Sequence, residues 1–287
     1  VATYKRMTFE KAAILLQLLA LFLYNSAGVR ADETKSAVAR PVVRIRQSSE
    51  QPKVMLWSWQ KIEDLRAINT TTTGVAYLAG RFVVDGGKIA LEPRLSRLQL
   101  APGCYREAVT RVEVKTLAPA SEQGEVAARL ARLIVNLIGA SGPVNSLQID
   151  FDARYDERAF YLQLLRELHD QLPRLPLSIT ALASWSQGDR WLEKVDNLPV
   201  DFMVPMFFTM GAGKEQALAN LQSELPGSLN GRRVLGVSLS EPATIELIAP
   251  RLGQLDHLYL FCSPGWTKER IRTAANLIQQ KLLKESN

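Results

Sequence analysis

The sequence predicts an α/β fold of the (β/α)8 TIM-barrel type, with the second helix replaced by a β-hairpin. Three observations lead there. From Val54 onward, short runs rich in β-branched and aromatic residues alternate with amphipathic stretches, the pattern of parallel βα units. Eight such strand runs follow one another in an unbroken array, which favours closure into a barrel over an open, doubly wound sheet. A chain of 287 residues with 47% apolar composition can bury one large core, and barrels of this size are single domains.

Taken in order, strands are expected at Val54–Ser58, Gly74–Leu78, Ala108–Thr116, Ser146–Phe151, Leu177–Ala183, Asp201–Phe208, Arg233–Leu239 and Leu258–Cys262. Helices are expected at about Gln60–Ile68, Ser121–Ile138, Asp156–Leu172, Gly188–Val195, Gly213–Leu225, Pro242–Arg251 and Thr267–Lys284. After the second strand, Arg81–Val84 and Lys88–Leu91 flank Asp85-Gly86-Gly87, which reads as a hairpin around a tight turn.

Ahead of the barrel, Lys5, Arg6 and Lys11 precede an apolar run from Ala12 to Tyr24, and small residues follow at 26–28 and 29–31. This is the layout of a secretory signal peptide. At about 13 residues the run is short of the ~20 that span a bilayer. Residues 1–31 are therefore expected to be a signal peptide or, since Glu10 is an odd neighbour for one, an uncleaved N-terminal anchor that tethers the protein to a membrane. Residues 32–52 read as a flexible linker and 53–287 as the barrel domain. The protein is expected to be exported, periplasmic or secreted.

The formal charge of +6 does not mark a nucleic-acid binder. Half of the excess lies in the leader, and no basic run interleaved with aromatics follows. The two cysteines, Cys104 and Cys262, fit either a disulfide or two buried thiols. No Cys or His spacing suggests zinc, and the two histidines, His169 on a helix and His257 at a strand start, offer no nucleophile's base. The run Gly211-Ala-Gly-Lys-Glu215 lacks the first Gly and the final Ser/Thr of a P-loop, and Gly236-Val-Ser-Leu-Ser240 lacks the second Gly of a nucleophile elbow. No cofactor and no metal is expected.

Strand parity locates a candidate site. In a closed barrel, alternate side chains face the lumen and the helix layer, and the helix-facing set must be apolar. In the fourth strand Leu147, Ile149 and Phe151 form that set, which turns Gln148, Asp150 and Asp152 inward with Asp152 nearest the mouth. In the third strand Val112 and Val114 belong outside, which turns Arg111, Glu113 and Lys115 inward. Six polar groups in one wall need a reason, because unpaired buried charges are costly. They form either a salt-bridge lattice without chemistry or a site at the C-terminal strand ends, where barrel enzymes build theirs.

Aromatic residues crowd the same rim: Trp57, Trp59, Tyr77, Trp185, Phe208 and Trp266. Rings beside carboxylates suit the C–H faces of sugars, which points to a carbohydrate or cell-envelope glycan as partner. Tyr77, Glu113, Lys115, Gln148, Trp185, Phe208 and Trp266 are the candidate substrate-binding residues, and Asp152 and Asp150 the candidate catalytic ones.

The run Asn145-Ser-Leu-Gln-Ile-Asp-Phe-Asp152 resembles the D-G-x-D-x-D-x-E strand of family 18 chitinase-like glycoside hydrolases. The resemblance implies that Asp152 is the proton donor and Asp150 the aspartate that orients the substrate's attacking acetamido group. Asn145, Ser146 and Gln148 depart from that motif, and Asp152 is an Asp where the family has Glu. Most of the chain after Lys53 also resembles a bacterial family catalogued as domain of unknown function 3142. That likeness lies in the runs Gly74-Val-Ala-Tyr-Leu, Leu147-Gln-Ile-Asp-Phe-Asp-Ala, Leu177-Ser-Ile-Thr-Ala-Leu-Ala-Ser-Trp and Asp201-Phe-Met-Val-Pro-Met-Phe-Phe. It implies an exported barrel and assigns no activity.

Glu241 stands where many retaining glycosidases carry a nucleophile, but Ser240-Glu241-Pro242 reads as a helix start capped by the serine. Two functions follow from the whole reading. The first is a glycoside-hydrolase-like barrel with Asp152 as general acid. The second is a non-catalytic glycan-binding or envelope-scaffold protein with a degenerate site.

Overall fold

The computed structural model describes residues 43–46, 50–211, 213–226 and 229–284. The expected leader and most of the expected linker lie outside the described residues. The unit that carries the barrel begins at Val43. Within the span read as linker, Ile45 bridges to Val144, Arg46 donates to the carbonyl of Cys104 and Gln51 to the hydroxyl of Tyr259, so these residues lie on the barrel.

In chain order the strands are β1 (Val54–Ser58), β2 (Glu63–Leu65), β3 (Thr73–Gly86), β4 (Lys88–Pro93), β5 (Leu98–Leu100), β6 (Arg106–Leu117), β7 (Ser146–Asp150), β8 (Leu177–Leu182), β9 (Phe202–Met206), β10 (Val234–Ser238) and β11 (His257–Phe261). The helices are α1 (Gln123–Ala140), α2 (Arg158–Gln171), α3 (Ala183–Gln187), α4 (Lys214–Ser223), α5 (Pro242–Ile248) and α6 (Lys268–Lys284). Eight strands, β1, β3 and β6 to β11, pair in parallel, and β1 joins both β11 and β3, which closes the barrel. No helix among the described residues is long and apolar enough to cross a membrane.

Alternation produces two apolar layers from each strand. Leu147 and Ile149 of β7 and Phe82 of β3 pack outward against Leu130 and Ile134 of α1 and Phe160 and Leu164 of α2. Leu56, Leu235 and Leu258 do the same against Ile245 and Ile248 of α5 and Ile271 of α6. The opposite parity fills the lumen with Met55, Trp57, Val109, Phe202, Val204 and Tyr259. Each fully buried Leu or Ile stabilises by about 1.5–3 kcal/mol, so the closed barrel rests on these two shells.

The expected hairpin is present, with Asp85 opposite Lys88 and Gly86 at φ 58°, a left-handed turn that glycine adopts without strain. It is larger than the pattern indicated. β3 and β6 continue side by side to Gly86 and Leu117, while β1 leaves β3 at Tyr77 and β7 leaves β6 at Arg111. A three-stranded flap of β6, β3 and β4 therefore rises beyond the barrel mouth.

Two expected helices are absent. Residues 60–68 hold β2, paired with β5, in place of a helix. Arg94 donates to the carbonyls of Ser58, Trp59 and Lys61, and Glu63 accepts from Ser58 and Trp266, which fixes the segment in extended form. Residues 188–195 likewise form no helix beyond a short turn at Leu192–Lys194, because the helical turn comes earlier, as α3, directly after β8.

Candidate functional site

The lumen is polar through its middle. Glu107 is fully buried and accepts from Tyr259 (2.8 Å), Ser178 (3.0 Å) and Ser146 (3.2 Å). Burial pushes its carboxyl up to about 7 against the pull of these three donors. One layer nearer the mouth, Trp57 Nε1 donates to Gln148 Oε1 at 2.7 Å, and Gln148 donates to Ser178. The Trp57 ring fits because Gly236 has no side chain: a Cβ there would lie 2.6 Å from the indole. Trp57 thereby becomes the floor of the mouth.

Above that floor stand the two aspartates, in different environments. Asp150 has a side chain only 4% exposed, and its two oxygens accept from Thr180 Oγ1 (2.7 Å) and Arg111 Nη1 (2.9 Å). Asp152 is 41% exposed, and its one ion-pair contact among the described residues is with Arg111 at 3.7 Å. Partial burial, then the neighbouring Asp150 charge, raise its carboxyl to about 6 against the pull of Arg111. One carboxyl is thus paired and the other is held protonatable near neutrality, the division of roles that acid catalysis uses.

Both aspartates line a cleft of about 690 Å³ at the C-terminal ends of the strands. One wall is aromatic. Phe208 and Phe261 stack at 5.3 Å, Trp59 meets Phe261 edge-on at 6.2 Å, and Trp57 meets Phe208 edge-on at 5.8 Å. The other wall carries the amides of Gln187, Gln216 and Asn220 from α3 and α4. No residue of the β3–β4 hairpin is among the described residues that line the cleft. A ligand with an apolar face and many hydroxyls meets complementary surfaces on both sides.

The candidate residues separate accordingly. Asp150, Asp152 and Phe208 line the cleft. Gln148 lies in the lumen beneath it, fully buried. Glu113 stands past the rim, bonded to Arg111 and Arg81. Lys115 is exposed on the flap and not in the lumen, because β6 has left β7 by that point. Tyr77 faces outward and packs against both helix-side clusters. Trp185 and Trp266 are each 3% exposed and offer no surface to a ligand. Trp185 packs edge-on against Trp191 at 5.3 Å, and Trp266 Nε1 donates to the carbonyl of Trp57.

Other features resolve as structural. Cys104 and Cys262 are buried free thiols. His257 Nδ1 donates to the carbonyl of Pro52 beneath the barrel, and burial lowers the ring's pKa. Glu241, and not Ser240, occupies the cap position of α5, and its carboxylate ties the amide of Thr209 and Nζ of Lys214. No group of three or more His, Cys, Asp or Glu among the described residues could hold a metal ion.

Parity missed Thr180 and Phe261, although the same alternation in β8 and β11 would have turned both inward. Glu107 lies outside the expected third strand, which begins at Ala108, whereas β6 begins at Arg106.

No family model matches the chain, so its resemblance to domain-of-unknown-function family 3142 rests on the four runs alone. No curated protein matches it either. Among solved structures, it is similar to the crystal structure of the catalytic domain of a family GH18 chitinase from the fern Peteris ryukyuensis, at 15% identity and a TM-score of 0.49 over 79% of this chain and 99% of that one. The chain's own strand pairing is what makes it a (β/α)8 barrel.

Proposed function

We propose that this protein is a glycoside hydrolase acting on a polysaccharide or cell-envelope glycan, with Asp152 as general acid and Asp150 as its electrostatic partner. One observation carries the reading. A half-exposed carboxyl raised to about 6 faces an aromatic wall across a cleft at the catalytic end of a barrel. Asp150, held by Arg111 and Thr180, stays in place as a charge that favours the protonated form of Asp152. Among the described residues lining the cleft no further carboxylate is present. Attack at the anomeric carbon therefore falls to the substrate's own acetamido group or to water, not to a second enzymic acid. The basic, then apolar, then small-residue order of residues 1–31 supports export to the periplasm or beyond, by a cleaved or a retained leader.

The test is release of reducing ends from a panel of purified polysaccharides and peptidoglycan by the wild-type chain and by Asp152→Asn. Loss of about 100-fold or more in the variant, with its melting temperature within a few degrees of wild type, supports the reading. Turnover that survives Asp152→Asn removes Asp152 from the chemistry. A second reading, glycan binding without hydrolysis, is favoured by the shorter donor, Asp in place of Glu. Binding to the same panel without turnover, insensitive to Asp152→Asn but weakened by Phe208→Ala, selects it.

A further inference from the structure

Glu92, Arg81, Arg111 and Asp150 are register partners across four adjacent strands, β4, β3, β6 and β7. The row places two guanidinium groups side by side, and Glu113, two residues along β6 on the same face as Arg111, bridges them. Its Oε1 accepts from Arg111 Nε at 2.9 Å and its Oε2 from Arg81 Nη1 at 2.8 Å. Arg81 is held from its far side by Glu92, which accepts from Nε at 2.9 Å. With Nε on Glu113 and Nη1 on Asp150, Arg111 has only the 3.7 Å contact left for Asp152.

We propose that the flap is a positioning device for the acid: Glu113, backed by Arg81 and Glu92, holds Arg111 on Asp150 and away from Asp152. The inference rests on the reading of Asp152 as the proton donor. It gives a purpose to the hairpin that replaces the barrel's second helix, since that hairpin delivers Arg81 and Glu92 to the row. A free arginine beside two carboxylates would fork onto both. It would then lower the donor's proton affinity and move the loss of its proton to lower pH.

Among the described residues, the charged and titratable groups around Asp152 are few. Asp150 stands on its own strand, and Arg111 and Glu113 come from β6. The Tyr161 phenol comes from α2, and Lys214, across the cleft, is paired with Glu241. Of these, Arg111 lowers and Glu113 raises the Asp152 carboxyl. Replacing Glu113 thus acts twice in one direction, by removing a like charge and by releasing the arginine. Replacing Arg81 acts in the same direction to a smaller extent, because Glu113 then loses the guanidinium that holds it beside Arg111.

The experiment follows the Asp152 carboxyl carbon by 13C NMR titration in the full chain, in wild type, Glu113→Gln and Arg81→Gln, and needs no substrate. The expected result is a midpoint about one pH unit lower in Glu113→Gln and lower by a smaller amount in Arg81→Gln. A raised wild-type midpoint that Glu113→Gln leaves in place overturns the proposal, as does an Arg81→Gln midpoint at or above the wild-type value. If Glu113→Gln does not fold, the sign of the Arg81→Gln shift decides. Failure of the functional reading looks different: the midpoints move as stated, yet no glycan is turned over.

Discussion

Glu107→Gln should flatten the pH dependence of stability. The wild-type carboxyl is fully buried and raised from 4.5 to about 7. A folded-state pKa above the unfolded one means that the folded chain holds the proton more tightly. Its stabilising effect is complete below pH 4.5 and is lost as pH rises through about 7. At 1.36 kcal/mol per pKa unit, the shift corresponds to about 3 kcal/mol lost between pH 4.5 and 8, or ~6–10 °C in melting temperature for a chain of this size. The amide can retain the network, with its oxygen accepting from Tyr259 and its nitrogen donating to the hydroxyls of Ser178 and Ser146. Melting by circular dichroism from pH 4.5 to 9 in both proteins gives the comparison. The difference between them isolates Glu107 from Asp152, whose raised carboxyl adds a smaller loss centred lower. A wild-type melting temperature that falls just as steeply in Glu107→Gln would refute the assignment of the buried proton to Glu107.

Turnover by the proposed acid should fall tenfold per pH unit above about pH 6, where Asp152 loses its proton, and a plateau to pH 8 would remove it as the acid. Gly236→Ala should destabilise by about 1–3 kcal/mol, read by urea unfolding, because the new Cβ meets both Trp57 and the Pro205 carbonyl and displaces the bond from Trp57 to Gln148. Trp185→Ala should cost about 3–5 kcal/mol of stability, while Phe208→Ala should weaken glycan binding about five- to tenfold with little effect on melting. The reverse assignment would put the ligand on Trp185's side of α3.

The barrel, its hairpin and the inward direction of Asp150 and Asp152 were legible in the linear sequence because they depend on a period of two. Leu147, Ile149 and Phe151 must face the helices, so their neighbours face the lumen, whatever the rest of the chain does. Tyr77 escaped because an aromatic ring satisfies either face, and Trp185 and Trp266 because proximity to a strand end does not say which way a ring turns. Lys115 had the right parity in a strand that no longer had a neighbour on that side. How far β6 runs past β7 is set by its pairing with β3, a long-range contact with no local signature.

Composition and alternation alone determined the (β/α)8 class and which face of each strand is polar. The tertiary structure decided where each strand stops, and therefore which polar groups meet. It placed Asp150 under Arg111 and Thr180, left Asp152 half in solvent, and carried Glu113 beyond the rim to join Arg81. The physical reason is that parity is a property of the single strand, whereas burial, charge pairing and proton affinity depend on distances between strands.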